Sequence, residues 1–402
     1  MVKMQNNGKG PGTGGSKLRF LYDSRVRGWI AQTLVVLMLA FVLGYALYNI
    51  STNLSKAGIT TGFGFLSEPA GFDISQTLIE YSSQSTYADA LVVGILNTLL
   101  VSVLGIIFSS FFGFFLGVIR LSPNWLVSRM AAAYTEIIRN IPLLLQVLFW
   151  YLAILAPLPG PRQAFDFSGI IFLCNRGLQL PKPLLEQGFN ITTITFAITF
   201  ILSAILIYWS RYRQRQTGKR FPAYLVASAL LVILPLISFT ASGSPMHWEV
   251  PTLKGFNFAG GFTVLPELIA LWLALTLYSA TFIGEYVRSG IMAVDKGQTE
   301  AALALGYRPG LMYRLIIIPQ AMRVVTPPLI SQYLTLIKNS SLAVVIGYPE
   351  LVHVFAGTAL NQSGQAVEII TITMAAYLSI SLVISFFMNW YNNNIALRGQ
   401  EG

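Results

Sequence analysis

Charged side chains are scarce in this chain. Of its 402 residues, 10% are Asp, Glu, Lys or Arg and 54% are hydrophobic, and the mean hydropathy is +0.63. Soluble globular proteins carry about a quarter of their residues as charged side chains. A chain with so few charges cannot cover a surface that faces water, which excludes a soluble enzyme and indicates an integral membrane protein.

Cysteine and histidine are almost absent as well. Cys174 is the only cysteine, so a disulfide within the chain is excluded. With His247 and His353 as the only histidines, a site built from Cys and His ligands would lack most of its ligands. No nucleophile and base stand in a pattern typical of an enzyme. The sequence therefore predicts neither a metal site nor catalytic residues.

Long apolar runs are abundant instead. A helix that crosses a membrane needs about 20 mainly apolar residues, and the runs lack the short alternation of an outer-membrane barrel. The first run is too long for a cleaved signal peptide and is predicted to stay as an anchor. We predict an all-α membrane protein with about eight spans, at residues 28–50, 90–119, 131–156, 191–209, 221–241, 263–284, 324–347 and 368–390.

Lys and Arg concentrate in the loops on one side of these spans. With a cytoplasmic N-terminus, 19 of the 26 basic residues lie in inner segments, five in outer segments and two within spans. Because basic residues concentrate in cytoplasmic loops, both termini are predicted to be cytoplasmic. The net charge of +10 is then a topology signal, and no nucleic-acid partner is needed to explain it.

The glycine-rich stretch 10–17, GPGTGGSK, superficially looks like a phosphate-binding loop. Its last residues are ordered GSK rather than GKS, and no buried strand precedes it. The sequence therefore predicts no ATP site in this chain.

The most informative stretch runs from Gly284 to Arg323 and is cytoplasmic in the predicted topology. It contains Glu-Ala-Ala at 300–302, three residues, Gly306, nine residues, and then Ile-Ile-Ile-Pro at 316–319. The residues before the glycine favour a short helix, which the glycine would end. Small exposed side chains on such a helix would let another protein approach its backbone closely. The proline then interrupts the next apolar run.

This spacing resembles the EAA loop of the membrane subunits of bacterial ABC importers, and only Ile318 departs from it, where Leu is usual. In that family the loop is a coupling helix that sits in a cleft of the ATP-hydrolysing subunit. The alternative is an ordinary surface helix that joins two spans. The resemblance implies that six residues couple the chain to an ATPase: Gly297, Gln298, Glu300, Ala301, Ala302 and Gly306.

Further blocks resemble the polar amino-acid permeases of this family. The stretch Tyr134–Tyr151, YTEIIRNIPLLLQVLFWY, is similar to their E-x-x-R-x-x-P-L-L-x-Q block. KNSSL at 338–342 and GYPEL at 347–351 are similar to a later block. Together with RFLYD at 19–23, these variants look most like the first permease subunit of general L-amino-acid transporters.

The resemblance implies the transmembrane core of a type I ABC importer in the bacterial inner membrane, which moves L-amino acids delivered by a periplasmic binding protein. It implies a dimer of ATP-binding subunits that hold ATP and Mg²⁺, with no cofactor in this chain. It also implies a second permease subunit, either a paralogue or a copy of this chain.

The same resemblance divides the chain into five regions. These are a cytoplasmic tail, a first span with an outer loop, the first half of the permease core, an insertion with two additional spans, and the second half of the core, at 1–27, 28–89, 90–156, 157–260 and 261–402, with the EAA loop at about 285–322. The insertion carries no recognisable chemistry. We expect it to pack against lipid or against the partner permease.

Charges in or near the predicted spans are costly unless they are paired or face a cavity. Glu136 and Arg139 are three residues apart on one predicted helix, and Glu285 and Arg288 repeat the spacing, so each pair can form an ion pair. These pairs either neutralise charge for structural reasons or help to close a cytoplasmic gate.

A polar group lies within an otherwise apolar run: Lys338, Asn339, Ser340 and Ser341. An amino acid is a zwitterion, so a transport path needs a cation for its carboxylate and oxygen acceptors for its ammonium group. Alternatively, Lys338 pairs with Glu136 or a backbone carbonyl and braces the bundle. Upstream, Pro327 and Pro328 are expected to break the helix.

An ion-coupled secondary transporter is the alternative function. Such transporters often show internal repeats, broken helices and ionisable residues at the midplane of the membrane. The chain offers only the repeated Glu-x-x-Arg at 136–139 and 285–288, and few buried carboxylates for a proton relay. The spacing around Gly306 therefore favours the importer.

Overall fold

The computed structural model describes residues 24–56 and 62–397. The glycine-rich stretch 10–17, the stretch 19–23 and most of the predicted cytoplasmic tail lie outside the described residues.

The described part of the chain is mostly helical. Its long helices are α1 (Ser24–Lys56), α2 (Tyr87–Ile119), α3 (Trp125–Asn140), α5 (Phe189–Thr217), α6 (Ala223–Ala241), α7 (Pro266–Met292), α10 (Ile318–Asn339) and α12 (Ala366–Leu397). The short helices are α4 (Leu143–Leu148), α8 (Lys296–Ala304), α9 (Pro309–Met312) and α11 (Leu360–Ser363). Three π-helical segments continue or join these helices, at Phe149–Leu155, Tyr313–Ile317 and Val352–Ala359, and 3₁₀ turns lie at Gly64–Ser67, Pro161–Gln163 and Ser340–Ile346.

Short strands lie in the loops before α5 and after α6, which corrects the prediction of an all-α protein. They are β1 (Phe165–Phe167), β2 (Ile171–Cys174), β3 (Gly177–Leu180), β4 (Lys182–Leu185), β5 (Met246–Glu249), β6 (Thr252–Lys254), β7 (Asn257–Ala259) and β8 (Phe262–Val264). One antiparallel sheet has the order β1-β2-β3-β8, and β4–β5 and β6–β7 form separate pairs. Strands of three or four residues are too short to show a clear alternation in the sequence.

The pairing of β3 with β8 joins the two loops. Leu178 lies opposite Val264 in this pair, two residues before α7 begins at Pro266. The sheet therefore lies at the N-terminal end of α7, and α5 and α6 form the excursion between its strands.

Seven helical segments are long and apolar enough to cross a membrane, and a bent pair of helices is an eighth candidate. The seven are Arg27–Ala46, Tyr87–Ile119, Phe189–Thr217, Ala223–Ala241, Pro266–Met292, Pro309–Ile346 and Ala366–Trp390. They correspond to seven of the predicted spans with shifted ends. The largest shift is in the segment that contains α10, which begins well before the predicted residue 324.

The remaining prediction, one span over 131–156, is wrong as a straight helix. The helices Trp125–Asn140 and Leu143–Leu155 meet at 101°. Pro142 has no N–H to continue the hydrogen-bond ladder, and Ile141 before it is extended, with φ −93° and ψ 126°. The proline therefore turns the chain where apolar composition alone predicted a continuous helix.

The bent pair nevertheless connects the two ends of α7. At one end, the Ser128 hydroxyl donates to the Arg120 carbonyl at 2.9 Å, and the Arg120 side chain binds Glu285. At the other end, the Tyr151 hydroxyl donates to Glu267 at 2.9 Å. Glu267 and Glu285 are 18 residues apart in α7, about 27 Å along a helix. The contacts of the bent pair thus lie nearly the thickness of a hydrocarbon core apart along α7.

Pro327 and Pro328 do not break the helix as the sequence predicted. Both lie inside α10, although each removes a backbone donor. This part of α10 packs closely against α7, because the Val325 side chain occupies the space that a Cβ on Gly290 of α7 would need. Tertiary contact therefore overrides the local preference.

The contact between α2 and α7 forms the core of the bundle. A Cβ on Gly113 would lie 2.6 Å from the Cβ of Ile283, and one on Gly117 would lie 2.6 Å from the carbonyl oxygen of Gly284. The contacts advance in the same order on both helices, so the helices run parallel. Small residues let membrane helices approach at backbone distance, and glycines of α2 supply this surface.

Candidate functional site: the inner helix and the polar cavity

Between α7 and α10 the chain forms the short helix α8. Asp295 caps its N-terminus and accepts a hydrogen bond from the Gly297 N–H at 2.6 Å. Gly306 closes its C-terminus with φ +77°, and the Tyr307 N–H donates back to the Ala302 carbonyl at 3.1 Å. This is a Schellman-type ending, and it explains why glycine stands at this position.

One side of α8 is buried against the chain and the other is exposed. Ala302 is 1% exposed and packs with Met312 and Ile317, so it attaches α8 to the segment that leads into α10. The other five predicted coupling residues are exposed: Gly297, Gln298, Glu300, Ala301 and Gly306. The exposed side is therefore the surface that a partner can reach.

Two leucines at the tip of α8 were not singled out in the sequence. Leu303 is 51% exposed and Leu305 is 77% exposed. Apolar side chains that project from a loop outside the spans indicate a partner surface. The sequence does contain a signal for them: two leucines lie within the three residues before Gly306, in a segment that is otherwise polar or small.

Near the C-terminal end of α7, one carboxylate holds two guanidinium groups. Glu285 binds Arg288 at 2.5 Å on the same helix, and its second oxygen binds Arg120 from the end of α2. The sequence indicated the spacing within α7 but not Arg120, which is 165 positions away from Glu285. The three side chains join the ends of α2 and α7.

Glu136 and Arg139 do not form the predicted ion pair. Both are exposed, and the ion pairs of the described residues include neither of them. The Arg139 guanidinium instead lies over the Phe282 ring on α7, 4.7 Å from its centre. Glu136, Arg139, Asn140 and Phe282 line an open cavity of about 320 Å³.

Lys338 borders a larger cavity, of about 450 Å³, between α10 and α12. Polar side chains that line it are Lys338, Ser341, Thr373, Tyr377 and Ser381. Across residues 24–56 and 62–397, Lys338 takes part in no ion pair. The alternative in which Lys338 pairs with Glu136 is therefore wrong, and the Lys338 residue lines the cavity.

The predicted polar group is divided between this cavity and the core. The Ser340 side chain is buried, and its hydroxyl donates to the Ile337 carbonyl at 2.6 Å. Asn339 is half-buried and is not part of the cavity lining. Of the four predicted residues, only Lys338 and Ser341 come together at the cavity.

Comparison with known proteins identifies the family. Residues 216–398 match the model described as "Binding-protein-dependent transport system inner membrane component". The chain is 50% identical over 372 residues to the putative amino-acid ABC transporter permease protein YhdX of Escherichia coli. The aligned residues make up 92% of this chain and 95% of that protein.

Two further relatives match over nearly their whole length. The general L-amino acid transport system permease protein AapQ of Rhizobium johnstonii is 47% identical, over 96% of both chains. The glutamate/glutamine/aspartate/asparagine transport system permease protein BztB of Rhodobacter capsulatus is 41% identical, over 96% of this chain and 98% of that protein.

The chain belongs to the amino-acid ABC transporter permeases. The permease is a multi-pass protein of the inner membrane, and its work is transport rather than catalysis. Its family implies a complex with an ATPase and a binding protein. Membership decides for the ATP-driven importer and against the ion-coupled secondary transporter.

A buried acid of the permease lies beside the Lys338 cavity. Glu350 is 0% exposed and accepts hydrogen bonds at 2.9 Å from the N–H groups of Val352 and His353 and from the Tyr377 hydroxyl. Burial raises the pKa of Glu350 to about 6, although these hydrogen bonds oppose the shift. Tyr377 lines the cavity, so Glu350 fixes one of its walls from behind.

The segment that carries Glu350 is attached to α2. The Asn97 side chain donates to the Pro349 carbonyl at 2.8 Å, and the Leu351 N–H donates to the Thr98 hydroxyl at 3.1 Å. Glu350 received no role from the sequence, although it lies in the block GYPEL. The signal was available, because Glu350 is the lone acid in the apolar run 342–360.

Proposed function

We propose that this permease moves L-amino acids, released by a periplasmic binding protein, into the cytoplasm with energy from a separate pair of ATPase subunits. The observation that carries the proposal is α8, a capped helix that exposes Glu300, Ala301 and two leucines and is fixed through Ala302. ATP and Mg²⁺ belong to the ATPase partner, and this chain contributes no cofactor site.

In this proposal α8 is cytoplasmic, as are both termini. The strands lie at the N-terminal end of α7, whereas Arg120, the basic turn between α5 and α6, and α8 lie towards the opposite end. Because basic residues concentrate on the cytoplasmic side, their clustering at the α8 end supports this orientation. Eight crossings, with the bent pair counted as one, then give the type I core.

The coupling surface consists of the exposed side of α8. When the ATPase subunits close on ATP, they pull on this surface, and Ala302 transmits the movement to the segment that enters α10. The permease subunits then rock between outward and inward states. A second permease subunit, a paralogue or a copy, completes the path, and the insertion at 157–260 packs against it or against lipid.

The substrate path includes the cavity beside Lys338. The ammonium group of Lys338 binds the substrate carboxylate, and the hydroxyls of Ser341, Thr373 and Tyr377 accept from the substrate ammonium group. A charge-assisted contact of this kind is roughly twice as strong as a neutral one. Asn339 and Ser340 hold the turn that presents Lys338.

The two sets of charges near the inner end have different roles in this proposal. Glu285, Arg288 and Arg120 are structural, because they join two helices that already pack at backbone distance. Glu136 and Arg139 are exposed beside an open cavity, and they close the cytoplasmic gate against the second permease subunit.

Site-specific cross-linking tests the coupling surface. We expect Leu305→Cys to form a cross-link to the ATPase subunit in the assembled complex, and we expect ATP to change its yield. Leu253→Cys is the matched control, because Leu253 is also an exposed leucine but lies in strand β6. A functional complex without the Leu305→Cys cross-link, or uptake by the purified chain without any ATPase, would overturn the proposal.

A further inference from the structure

The hairpin of α5 and α6 has an uneven end. The Ser210 hydroxyl donates to the Phe221 carbonyl at 3.4 Å, so the start of α6 lies level with Ser210. From there α5 continues through Thr217, seven residues or about 10 Å along a helix. Gly218, with φ +68°, then reverses the chain. The end of α5 and its turn therefore project beyond the hairpin as a tip, residues 211–220.

The tip carries charge of one sign. Its five cations are all exposed: Arg211, Arg213, Arg215, Lys219 and Arg220. The sequence has no Asp or Glu between Glu186 and Glu249, and the ion pairs within residues 24–56 and 62–397 include none of the five. An isolated charge of +5 at one point attracts anions.

Aromatic side chains at the base of the tip indicate how deep the hairpin lies in the membrane. Tyr208, Trp209 and Tyr224 are exposed on the hairpin at its base. The Arg211 guanidinium donates to the Tyr224 hydroxyl at 2.6 Å, and that of Arg213 lies 5.3 Å from the centre of the Trp209 ring. Trp and Tyr concentrate at the boundary between hydrocarbon and headgroups. The cations up to two turns further along α5 therefore lie at the level of the lipid phosphates.

We propose that the tip, residues 211–220, binds the headgroups of anionic phospholipids of the inner leaflet. Clusters of four to eight basic residues just beyond a membrane helix recognise such lipids, and guanidinium groups bind phosphate through two hydrogen bonds. Below the tip, exposed apolar side chains such as Ile205 and Val232 contact the acyl chains of the same lipids. An anionic phospholipid thus matches both the basic tip and the apolar sides of the hairpin.

The charge pattern favours lipid over a protein partner. Around α8, the cations Lys296 and Arg308 alternate with the acids Asp295 and Glu300, a mixed pattern that suits a folded protein surface. The tip has no such mixture. Its cations continue directly from a helix pair that is mostly exposed on this chain, which leaves the hairpin open to lipid.

Fluorescence quenching by spin-labelled lipids tests this assignment in the assembled transporter. A bimane on Ile205→Cys reports the acyl chains next to the tip, and Cys174 is buried, so the unsubstituted chain serves as the labelling blank. The complex is reconstituted in equimolar phosphatidylglycerol and phosphatidylcholine, with a spin label on one lipid or the other. We expect stronger quenching by the labelled phosphatidylglycerol, and a preference that falls as salt is added.

Variants assign the preference to the tip. One cation near a membrane surface contributes about 1 kcal/mol, or about fivefold in binding constant, so R211Q/R213Q/R215Q should lower the preference by at least that factor. The variant R211K/R213K/R215K keeps the charge and should keep most of the preference. R162Q/R176Q/K182Q removes the same charge from the loop before α5 and should change nothing.

Four results would overturn the assignment. The first is equal quenching of the bimane by both labelled lipids when the tip is unsubstituted. The second is a preference for phosphatidylglycerol that survives in R211Q/R213Q/R215Q. The third is loss of the preference on addition of inorganic phosphate at constant ionic strength, which would mean that the tip takes free anions rather than lipid. Protection of the bimane from both spin-labelled lipids would show that a protein subunit covers the hairpin and would also contradict the proposal.

Discussion

The Glu350 carboxylate accepts a hydrogen bond from the Tyr377 hydroxyl at 2.9 Å. Tyr377 lines the cavity beside Lys338, whereas Glu350 is completely buried behind it. The contact therefore links an acid held by two backbone N–H groups to a wall of the proposed substrate path.

Tyr377→Phe should destabilise the permease more than a similar change elsewhere. A hydrogen bond to a charged group contributes about 1.5–3 kcal/mol and one between neutral groups about 0.5–1.5 kcal/mol. Tyr333→Phe is the matched control, because the Tyr333 hydroxyl shares a hydrogen bond with neutral Ser110 at 2.8 Å. Denaturant titration of the two variants in detergent measures the difference. Equal losses would mean that Glu350 is protonated or that the contact contributes little.

Glu350 should make stability depend on pH. Its pKa is raised from 4.5 to about 6 in the folded state, so the folded permease binds this proton more tightly than the unfolded chain does. The stability from this group is complete below about pH 4.5, falls as the pH rises to about 6, and is constant above that. The difference in thermal midpoint between the unsubstituted permease and Glu350→Gln, measured across this range, should show that fall. If the unsubstituted permease instead gained stability relative to Glu350→Gln as the pH rises from 4.5 to 6, the assignment would be contradicted.

Gly306→Val should uncouple transport from ATP hydrolysis. Valine at φ +77° is strained by about 1–2 kcal/mol, and relief of this strain shifts the end of α8. We expect ATP-dependent uptake to fall roughly tenfold while insertion into the membrane is unchanged. Gly310→Val is the control, because Gly310 lies in α9 with open space around it and no positive φ. Uptake that is equal in both variants would exclude a coupling role for the end of α8.

Lys338→Ala should weaken substrate binding. Loss of a hydrogen bond to the substrate carboxylate, about 1.5–3 kcal/mol, corresponds to a rise of KM for uptake by tenfold or more. Lys338→Arg keeps the charge and should recover some of the loss. Lys254→Ala is the matched control, because Lys254 is also an exposed lysine but lies in strand β6 and is not part of the cavity lining. If Lys338→Ala lowers only the yield of folded protein and leaves KM unchanged, Lys338 has a structural role.

Gly113→Ala should impair folding. Its Cβ would lie 2.6 Å from the Cβ of Ile283, and such overpacking costs about 1–3 kcal/mol. Gly44→Ala in α1 meets nothing within 4 Å and should be neutral. The thermal midpoint and the monodisperse fraction after detergent extraction report both variants. Normal behaviour of Gly113→Ala would mean that α2 and α7 can separate at this point.

Sequence patterns were most reliable where a single local rule decides the outcome. Gly306 ends α8 as the motif predicted, and apolar length alone located seven of the candidate spans. The same rules failed at 131–156, where Pro142 turned the chain. They also failed at Pro327 and Pro328, where packing preserved the helix. In these cases the outcome depends on which residues pack against the segment, and the sequence of the segment alone does not contain that information.

The candidate site shows the same division. The sequence identified Lys338 and Ser341, but it grouped them with Ser340, whose side chain is buried in the core. It proposed a pair of Glu136 with Arg139, whereas the Phe282 ring of a distant helix holds the guanidinium. Spacing along one helix shows which side chains can meet, not which alternative partner lies closer.

By itself, the sequence determined the membrane environment, the positions of the long apolar helices and the motif that ends in Gly306, because these depend on composition and on rules that act within a few residues. Only the tertiary structure decided that Arg120 joins Glu285 and that Glu350 fixes Tyr377 behind the cavity. Such contacts arise when helices far apart in the chain approach at backbone distance, and the surfaces that allow this approach are complementary only in the folded bundle.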